Sequence, residues 1–502
     1  MNRTIINVVY AHLKPDFVSA MGRGDVLLVY TARPIIDCDM YVYWDAFSFP
    51  GRQKGINTLM LMEPSVVLPG QYNEDLWKHF DHVFTLYDAI IERYGFTKYV
   101  LTRQGFHPWF GESDDTAITE DIGERARRYP VGDRANAICL INGNKHSTVP
   151  GELYSKRIEA ALWFSLHSDI PLDVFGFLPF FLPNYRGQIG NNKKLETLSR
   201  YKYSLCFENT GDPVLAQGYV DKILDPLEAR SLPIYLGCPN IEDYIPESCF
   251  IDFRDFAGYE ELDAYLRSLS DNEYLRYIEN IDTWVAGGGL RPFSWSPLYD
   301  KFVRYYAERT GMDHDALVGH DTAWKPVPLT EKHNFIDAGP RWTFEELADM
   351  RSPLIDYENS AGGTEQMPDS ERLAHAVGLA KKGFYREALQ AMAYMHFYRN
   401  PDLFCFYAQL LRMCGFYDAE SVQLAFALYL DANHAPSLKQ KASPCTTEAE
   451  FLKAVSDFEN ILSNRTIASE ATAGLVSVIV HISGDEKKAG SCIASLRANI
   501  EA

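Results

Sequence analysis

The chain has 502 residues, which is long enough for two to four domains. Its composition, 46% apolar and 23% charged, is that of an ordinary globular protein. Its formal charge of −20 excludes nonspecific nucleic-acid binding as a general role, because that binding needs an excess of lysine and arginine to displace phosphate counterions. An anionic ligand therefore requires a local basic pocket.

The N-terminal sequence and the cysteine pattern predict the cellular compartment of the protein. The first apolar stretch ends by residue 10, too short for a signal peptide or a membrane span, and no run of about 18 apolar residues follows it. The nine cysteines are scattered, odd in number and without a C-x-x-C pair. We expect buried free thiols rather than a disulfide frame or zinc site, and predict a cytoplasmic protein without a membrane span.

Short β-rich runs alternate with turns and helical stretches from residue 4 to about 105. The predicted strands are 5–10, 25–30, 40–43, 58–62 and 82–86. This alternation is typical of an α/β layer with a largely parallel sheet, which we assign to a first lobe at 1–130.

A second α/β set follows, which we assign to 131–311. Its first strand, 137–141, leads into a loop that starts at Asn142 and then into a helix at 152–167. Further predicted strands are 172–175, 203–207, 232–236 and 249–252. Two such lobes facing a cleft suit an enzyme that uses a nucleotide sugar, with its site at the carboxyl ends of the strands.

Three further segments are predicted after the lobes. Residues 312–369 read as a linker, and 370–465 as an all-α region in which Gly383-Phe-Tyr and Gly415-Phe-Tyr recur, close to the tetratricopeptide period of about 34 residues. A small helical bundle fits equally well, and either form would offer a surface for a protein partner or self-association. Residues 470–502 read as one β-α unit, which cannot form a sheet alone. This unit resembles the opening of a family 2 glycosyltransferase domain, as if cut from a longer protein.

An enzyme that transfers a sugar from a nucleotide diphosphate must neutralise the departing pyrophosphate, hold the ribose and supply a base for the acceptor. Arg157 and Lys222 suit the first task, Lys222 because it precedes a predicted helix start. The carboxylate of Asp221 suits the ribose hydroxyls, and Glu208 follows an apolar strand. Taken alone, each basic residue is more typical of a solvated surface charge, and Asp221 of a helix N-terminal acid that complements the dipole.

One further motif has the form that metal-dependent transferases use. Asp37-Cys38-Asp39 is a D-x-D sequence, whose carboxylates can hold a divalent cation on a nucleotide diphosphate. It lies before an apolar strand, however, and no second cluster of metal ligands accompanies it. We expect no metal site, and keep a metal-dependent transferase as an alternative.

Four sequence segments, taken together and in order, are more informative about function than any of the individual residues. They are Tyr201-Lys-Tyr-Ser-Leu-Cys-Phe-Glu-Asn-Thr210, Gly218-Tyr-Val-Asp-Lys-Ile-Leu-Asp225, Leu232-Pro-Ile-Tyr-Leu-Gly-Cys-Pro-Asn240 and Tyr244-Ile-Pro-Glu-Ser-Cys-Phe-Ile-Asp252. Together they resemble the signature of the family 10 α-1,3/1,4-fucosyltransferases. The resemblance covers roughly residues 35 to 300 and is densest from 194 to 265.

The resemblance implies an inverting, metal-independent transferase of the GT-B type, with two Rossmann-like lobes and GDP-fucose as donor. No cofactor is implied, and the acceptor would be a saccharide or glycan. In that family pattern Arg157 and Lys222 hold the pyrophosphate and Asp221 the ribose. The remaining residues of the implied donor pocket are Asn142, Glu208, Asn209 and Tyr219.

The pattern departs from the family at Tyr219-Val-Asp-Lys222, where the family usually has Tyr-Val-Thr-Glu-Lys. The sequence here is one residue shorter, and Asp221 reaches about one methylene less than a glutamate. Another GDP-sugar on the same fold is therefore an alternative donor, and a non-catalytic glycan-binding or scaffolding protein is an alternative function.

A candidate base lies in the first lobe. Leu59-Met-Leu-Met-Glu-Pro-Ser65 is similar to the family's strand that ends in a Glu-Ser-Pro or Glu-Pro-Pro loop facing the cleft. Glu63 is its only acid, so we predict that Glu63 deprotonates the acceptor hydroxyl. The alternative is a loop carboxylate that caps a nearby backbone N–H.

Overall fold

The structure is a computed structural model that describes residues 3–100, 121–176, 181–190, 193–319, 323–328, 334–355, 367–395 and 400–464. Two α/β lobes, each with its own sheet, are followed by an all-α region, which confirms the predicted fold class and its GT-B arrangement. The predicted β-α fragment at 470–502 lies outside the described residues.

The strands of the described residues begin and end as follows: β1 Thr4–Val9, β2 Val18–Arg23, β3 Val26–Thr31, β4 Met40–Trp44, β5 Ile56–Leu61, β6 His82–Thr85, β7 Thr97–Lys98, β8 Ala135–Ile141, β9 Leu172–Phe175, β10 Tyr201–Phe207, β11 Leu232–Leu236, β12 Ile251–Asp252 and β13 Lys325–Pro326.

The α-helices of the described residues are α1 Glu74–Trp77, α2 Asp88–Tyr94, α3 Ile122–Arg128, α4 Tyr154–His167, α5 Lys194–Leu198, α6 Leu224–Glu228, α7 Tyr259–Ser268, α8 Asp271–Ala286, α9 Trp295–Thr310, α10 His314–Val318, α11 Phe344–Asp349, α12 Asp369–Lys381, α13 Tyr385–Ala393, α14 Pro401–Met413, α15 Tyr417–Leu430, α16 Ala435–Ala442 and α17 Glu448–Asn464.

The first sheet has the strand order β13-β2-β3-β1-β4-β5-β6-β7. Strands β3, β1, β4, β5, β6 and β7 are parallel, and β2 and β13 add antiparallel pairs at one edge. Every residue of β3 and β4 is buried, as expected of parallel strands covered on both faces. The carboxyl ends of β1, β4 and β5 therefore meet at one edge of the sheet.

The second sheet is all-parallel with the order β12-β11-β10-β8-β9. Phe207 at the end of β10 pairs with Leu236 at the end of β11, and Ile141 of β8 pairs with Phe175 of β9. The loops that follow β8, β10 and β11 thus leave the sheet at the same edge, where an open α/β sheet binds its ligand.

The two lobes touch at these edges. Gly218 has a φ of 86°, and a Cβ there would lie 2.2 Å from the carbonyl oxygen of Leu86 in the first lobe. Only glycine permits that approach. The carboxylate of Asp88 accepts hydrogen bonds from Asn240 Nδ2 and the Tyr244 hydroxyl, each at 3.0 Å, and so joins the lobes a second time.

The prediction of a linker at 312–369 is wrong for the described part of that segment. Leu317, Val318, Trp324 and Leu347 are buried in the core of the first lobe, and β13 pairs with β2 of its sheet. Apolar side chains from these short segments therefore help to complete the first-lobe core.

Two predicted domain boundaries also shift. Helix α3, placed in the first lobe by the boundary at 130, is tied to the second lobe, because buried Arg125 donates to Asp282 Oδ1 at 2.9 Å and to the Leu227 carbonyl at 2.8 Å. Helix α9, placed in the second lobe by the boundary at 311, buries Trp295 and Phe302 in the core of the first. The chain therefore returns to the first lobe after α8.

The helical region consists of short antiparallel pairs. Gly383 and Gly415 occupy the turns between α12 and α13 and between α14 and α15, with φ values of 82° and 84° that favour glycine. Its core contacts the second lobe through Phe181, whose ring centroid lies 5.1 Å from that of Phe404. The all-α prediction is confirmed, while assignment to the tetratricopeptide class stays a prediction. Among the described helices, none has the length and apolar character needed to cross a bilayer.

Candidate active site

Glu208 is the first residue after β10 and is fully buried. Its Oε1 accepts the backbone N–H groups of Asp221 at 2.8 Å and Lys222 at 3.0 Å. Its Oε2 is buried and has no hydrogen-bond partner among the described residues. Burial, and then the charge of Asp221, raise the pKa of Glu208 to about 7. One buried carboxylate therefore fixes the loop that carries two of the predicted donor-site residues.

Close packing makes this position possible. Gly237 follows β11 beside Glu208, and a Cβ at Gly237 would lie 2.3 Å from Glu208 Cγ. Any side chain at Gly237 would displace the carboxylate. The glycine in the Tyr235-Leu-Gly-Cys238 stretch of the family-like pattern therefore has a packing reason in this chain.

Arg157, Asn209 and Tyr219 form a buried chain of hydrogen bonds. Arg157 donates from Nε at 3.0 Å and Nη2 at 2.7 Å to the Phe207 carbonyl, and from Nη2 at 3.0 Å to Asn209 Oδ1. Asn209 Nδ2 in turn donates to the Tyr219 hydroxyl at 3.1 Å. Nη1 of Arg157 takes part in none of these bonds. The guanidinium is thus held by α4 and β10 in one orientation, with one nitrogen left over for a ligand.

Lys222 and Asp221 form an ion pair with each other at this edge. Both side chains are mostly buried, with 19% and 11% of their surface exposed. The backbone N–H groups that precede α6 were expected to attract an anion. Those of Asp221 and Lys222 instead donate to Glu208. An anionic ligand here would meet the Lys222 ammonium rather than those N–H groups.

A cavity opens beside Lys222 at the carboxyl ends of β8 and β10. Asn142 and Lys194 line it together with Lys222, over a floor that includes Cys139 and Cys206. Lys194 pairs with Asp225. Burial opposes the charge of Lys194, but Asp225 and Asp221 outweigh it and raise its pKa, so the residue stays cationic. Two ammonium groups and one amide therefore surround this cavity.

Glu63 lies after β5 in the first lobe, on a loop held through its backbone. Asp45 Oδ1 accepts the N–H groups of Met62 at 2.8 Å and Glu63 at 3.1 Å. The Glu63 carbonyl accepts from Gln71 Nε2 at 3.0 Å and the Tyr72 hydroxyl at 2.7 Å. The half-buried carboxylate of Glu63 accepts no hydrogen bond from the described residues. Capping of a backbone N–H, the alternative role for Glu63, is performed by Asp45 instead.

Asp45 is the residue that sequence reasoning missed in this loop. It is fully buried after β4 with a φ of 58°, a strained value for a residue other than glycine. Burial, and then the charge of Glu63, raise its pKa to about 7. Nothing in the Trp44-Asp-Ala-Phe47 sequence announces this role, because the partners of Asp45 come from a separate strand and loop.

The two halves of the site face each other. Tyr219 of the second lobe stacks on Tyr87 of the first, with centroids 6.2 Å apart and planes 5° from parallel. Ser147, in the loop after β8, donates to the Val66 carbonyl at 2.7 Å. Burial raises the pKa of Tyr154, and Glu63 across the cleft adds to this rise while Arg157 opposes it. Glu63 is therefore within electrostatic reach of the donor-side cluster.

The structure brings most of the predicted residues together. Arg157, Glu208, Asn209 and Tyr219 are linked directly or through one loop, Asp221 and Lys222 lie on that loop, and Asn142 lines the adjoining cavity. Asp37 and Asp39 lie elsewhere: Asp39 precedes β4, at the amino edge of the sheet, and its Oδ2 accepts the N–H of Ile5 at 2.8 Å. Lys194 is a further cation at the site that sequence reasoning missed.

Comparison with protein families matches the second-lobe half of this site. Residues 152–286 match the model described as glycosyltransferase family 10 (fucosyltransferase) C-term. That range contains Arg157, Glu208, Asn209, Tyr219 and Lys222. This part of the chain is therefore similar to the fucosyltransferases of glycosyltransferase family 10.

Curated fucosyltransferases are similar to part of this chain. A 4-galactosyl-N-acetylglucosaminide 3-alpha-L-fucosyltransferase of Homo sapiens is 33% identical over 141 residues, which cover 27% of this chain and 36% of the relative. An alpha-(1,3)-fucosyltransferase of Helicobacter pylori is 40% identical over 96 residues, 18% of this chain and 19% of the relative. The chain thus spans about a third or less of the length of these curated relatives.

Solved structures are also similar. A crystal structure of an alpha1,3-fucosyltransferase covers 62% of this chain and 93% of its own, at 14% identity and a TM-score of 0.37. Another, with GDP-fucose, covers 55% and 81%, at 18% identity and a TM-score of 0.33.

Proposed function

We propose that the protein transfers fucose from GDP-fucose to a hydroxyl of a saccharide acceptor, with inversion, in the manner of an α-1,3-fucosyltransferase. The observation that carries this proposal is the family 10 match at 152–286, which includes the buried cluster of Arg157, Glu208 and Asn209 and the loop with Lys222. Two curated relatives that match part of the chain are named as fucosyltransferases.

The donor side supplies the groups that a departing nucleotide diphosphate needs. In this proposal the pyrophosphate binds Arg157 through the nitrogen that its structural bonds leave over, and it binds Lys222 in exchange for part of the Asp221 ion pair. Charge-assisted bonds to phosphate are about twice as strong as neutral ones, so the developing charge on GDP is stabilised as the glycosidic bond breaks. The buried Oε2 of Glu208 is free to meet a hydroxyl of the donor.

The acceptor side supplies the base. Glu63 has a carboxylate that accepts no hydrogen bond from the described residues, on a loop whose backbone four bonds hold in place. Such a group can take the proton of an acceptor hydroxyl as the oxygen attacks the anomeric carbon. Attack from the first lobe while GDP departs into the second is an in-line displacement, and this geometry inverts the anomeric centre.

One observation favours a test of the donor itself. The family pattern Tyr-Val-Thr-Glu-Lys is shortened here to Tyr219-Val-Asp-Lys222, and Asp221 is already paired with Lys222. A ribose hydroxyl would have to share that carboxylate. Another GDP-hexose on the same fold is therefore the second candidate.

The deciding experiment measures GDP release from GDP-fucose, GDP-mannose and GDP-glucose, with and without saccharides that contain galactose and N-acetylglucosamine. We expect acceptor-dependent release from GDP-fucose in excess of the others. NMR analysis of the product would then give the linkage and the anomeric configuration. A preference for GDP-mannose would replace the donor, and no release from any GDP-sugar would overturn the proposed activity.

A further inference from the structure

Four aromatic side chains gather at the carboxyl ends of β1 and β4 in the first lobe. The ring of His12 stacks on Phe47 with centroids 4.5 Å apart, and Phe344 lies 5.7 Å from His12 and 5.6 Å from Phe47. Tyr10 lies 5.4 Å from His12. His12 is exposed and Phe344 half-buried, while Tyr10 and Phe47 are buried beneath them. We call Tyr10, His12, Phe47 and Phe344 the aromatic platform.

The platform is continuous with the loop that carries Glu63. Tyr10 packs against Trp44 at 4.9 Å, and the Trp44 indole N–H reaches Met62 Sδ, on the residue before Glu63, at 2.7 Å. Ser48, next to Phe47, accepts the N–H of Ala11 at 3.1 Å. The same short stretch of chain that holds Asp45 under the Glu63 loop thus presents Phe47 to the platform.

The fourth ring comes from a segment outside the family 10 match. Phe344 is the first residue of α11, whose start is fixed by a capping box: the Thr343 hydroxyl accepts the Glu346 N–H at 3.1 Å, and Glu346 accepts the Thr343 N–H at 2.8 Å. Leu347 of the same helix is fully buried in the first-lobe core. Helix α11 is therefore anchored, with Phe344 held at the platform.

The charge of the platform limits what it can bind. Desolvation by its neighbours lowers the pKa of His12, against the opposing charges of Glu63 and Glu345. The imidazole is therefore neutral at pH 7, and the platform is an uncharged aromatic surface beside a carboxylate. Such a surface suits a ligand with one apolar face and a rim of hydroxyl groups.

We propose that the aromatic platform binds a pyranose ring of the acceptor saccharide by stacking and so presents an acceptor hydroxyl to Glu63. The C–H groups on one face of a pyranose pack against aromatic rings, and its hydroxyl groups stay at the edge, where Glu63 lies. This assignment rests on the proposed glycosyl transfer, and it makes α11 a part of the acceptor site.

The kinetic test uses His12→Ala and Phe344→Ala. Loss of one stacking ring is worth on the order of 1 kcal/mol, so we expect the KM for the acceptor to rise about three- to tenfold in each variant. The KM for GDP-fucose should stay unchanged, which also shows that the variant is folded. His12→Phe keeps the ring and should restore the acceptor KM. Tyr429→Ala, which removes a 60% exposed ring from the helical region, is the matched control.

A binding test separates this assignment from the proposed activity. Saturation-transfer NMR with a disaccharide of galactose and N-acetylglucosamine, without donor, should show the saccharide on the wild-type protein and a weaker signal with both alanine variants. If no GDP-sugar is turned over, the proposed activity fails, while this difference in signal would still support the platform. Equal signals in wild type and variants, no signal from the wild type, or unchanged acceptor KM values in an active enzyme would overturn it.

Discussion

In both lobes, a buried carboxylate at the facing edge holds a loop by accepting two of its backbone N–H groups. In the first, Asp45 after β4 accepts two consecutive N–H groups on the loop that carries Glu63; in the second, Glu208 after β10 accepts two consecutive N–H groups on the loop that carries Lys222. Each carboxylate is fully buried, and each has one oxygen without a hydrogen-bond partner among the described residues.

The lobes differ in whether the functional side chains are held in place as well as the loop backbone. On the second lobe the guanidinium of Arg157 and the amide of Asn209 are themselves locked by hydrogen bonds. On the first lobe only the backbone of the Glu63 loop is held, and the carboxylate of Glu63 keeps its freedom. In the proposed reaction, this difference would let the second lobe recognise one nucleotide sugar and the first lobe accept a proton.

The largest effect should follow a change at the free carboxylate. Glu63→Gln preserves the backbone bonds that Asp45, Gln71 and Tyr72 make, because none of them uses the side chain. We expect kcat to fall about 10²- to 10⁴-fold, the usual worth of a general base, with the KM for GDP-fucose unchanged. Steady-state kinetics with Glu92→Gln, an exposed acid of α2, as control would check this. Wild-type turnover in Glu63→Gln would remove Glu63 from the reaction.

Lys222→Ala should lower the affinity for the donor, whereas Glu63→Gln lowers kcat. Removal of the ammonium takes away one charge-assisted contact with the pyrophosphate, worth about 1.5–3 kcal/mol, so donor affinity should fall roughly 10- to 100-fold. Calorimetric titration with GDP measures this without turnover. Lys202→Ala is the matched control, since Lys202 lies near the amino end of β10, at the opposite end of that strand from the Lys222 loop, and pairs with Asp271 at 2.9 Å. Equal GDP affinity in the two variants would contradict the phosphate assignment.

The second lobe was the more predictable half from sequence. The strands at 172–175 and 232–236 were predicted at their observed bounds. Residues 232–236 form the continuous apolar run expected of a buried parallel strand, whereas 172–175 is interrupted by the half-buried Asp173. Short strands at the sheet edge, β2 and β13, were not predicted. They pair antiparallel; only Ala20 and Met21 of β2 are buried and both residues of β13 are exposed, so no apolar run marks them.

The site shows the same contrast. Arg157, Glu208 and Lys222 could be chosen because they lie in family-like blocks, and their position at strand ends brings them together. Asp45 and Lys194 could not be chosen in this way, since their roles depend on partners from separate elements: Met62 and Gln71 for the first, Asp225 for the second. The linker prediction at 312–369 is wrong for the described part of that segment, because a core that forms between distant segments leaves no local periodicity.

A smaller effect is expected on the pH dependence of stability, which should reveal the raised pKa values of the two buried carboxyl groups. The pKa values of Asp45 and Glu208 are both about 7 in the folded protein, raised chiefly by burial, whereas unfolded carboxyls titrate near pH ~4. Between those values the folded state holds protons that the unfolded chain has released. The free energy of unfolding should therefore fall as the pH rises from about 4 to 7.

Asp45→Asn tests this directly, because the amide mimics the protonated acid and its oxygen can still accept the N–H groups of Met62 and Glu63. We expect the difference in unfolding free energy between pH 5 and pH 8 to shrink in Asp45→Asn and, independently, in Glu208→Gln. Urea unfolding at the two pH values measures it. Asp16→Asn, an exposed acid, should leave the difference unchanged. The same pH dependence in all four proteins would show that neither carboxyl is protonated in the folded state.

The smallest effect is expected at the opposite edge of the first sheet, where Asp37 and Asp39 form the D-x-D sequence. Asp39 uses its carboxylate to bind the Ile5 N–H before β4, so the carboxyl ends of the strands and the Glu63 loop lie at the other end of the sheet. We expect EDTA to change kcat by less than about twofold, and Asp39→Asn to lower the melting temperature slightly through the weakened bond to Ile5 without changing kinetics. Loss of activity in EDTA that returns with Mn²⁺ would mean that a cation completes the donor side, and that Arg157 and Lys222 alone do not balance the pyrophosphate charge.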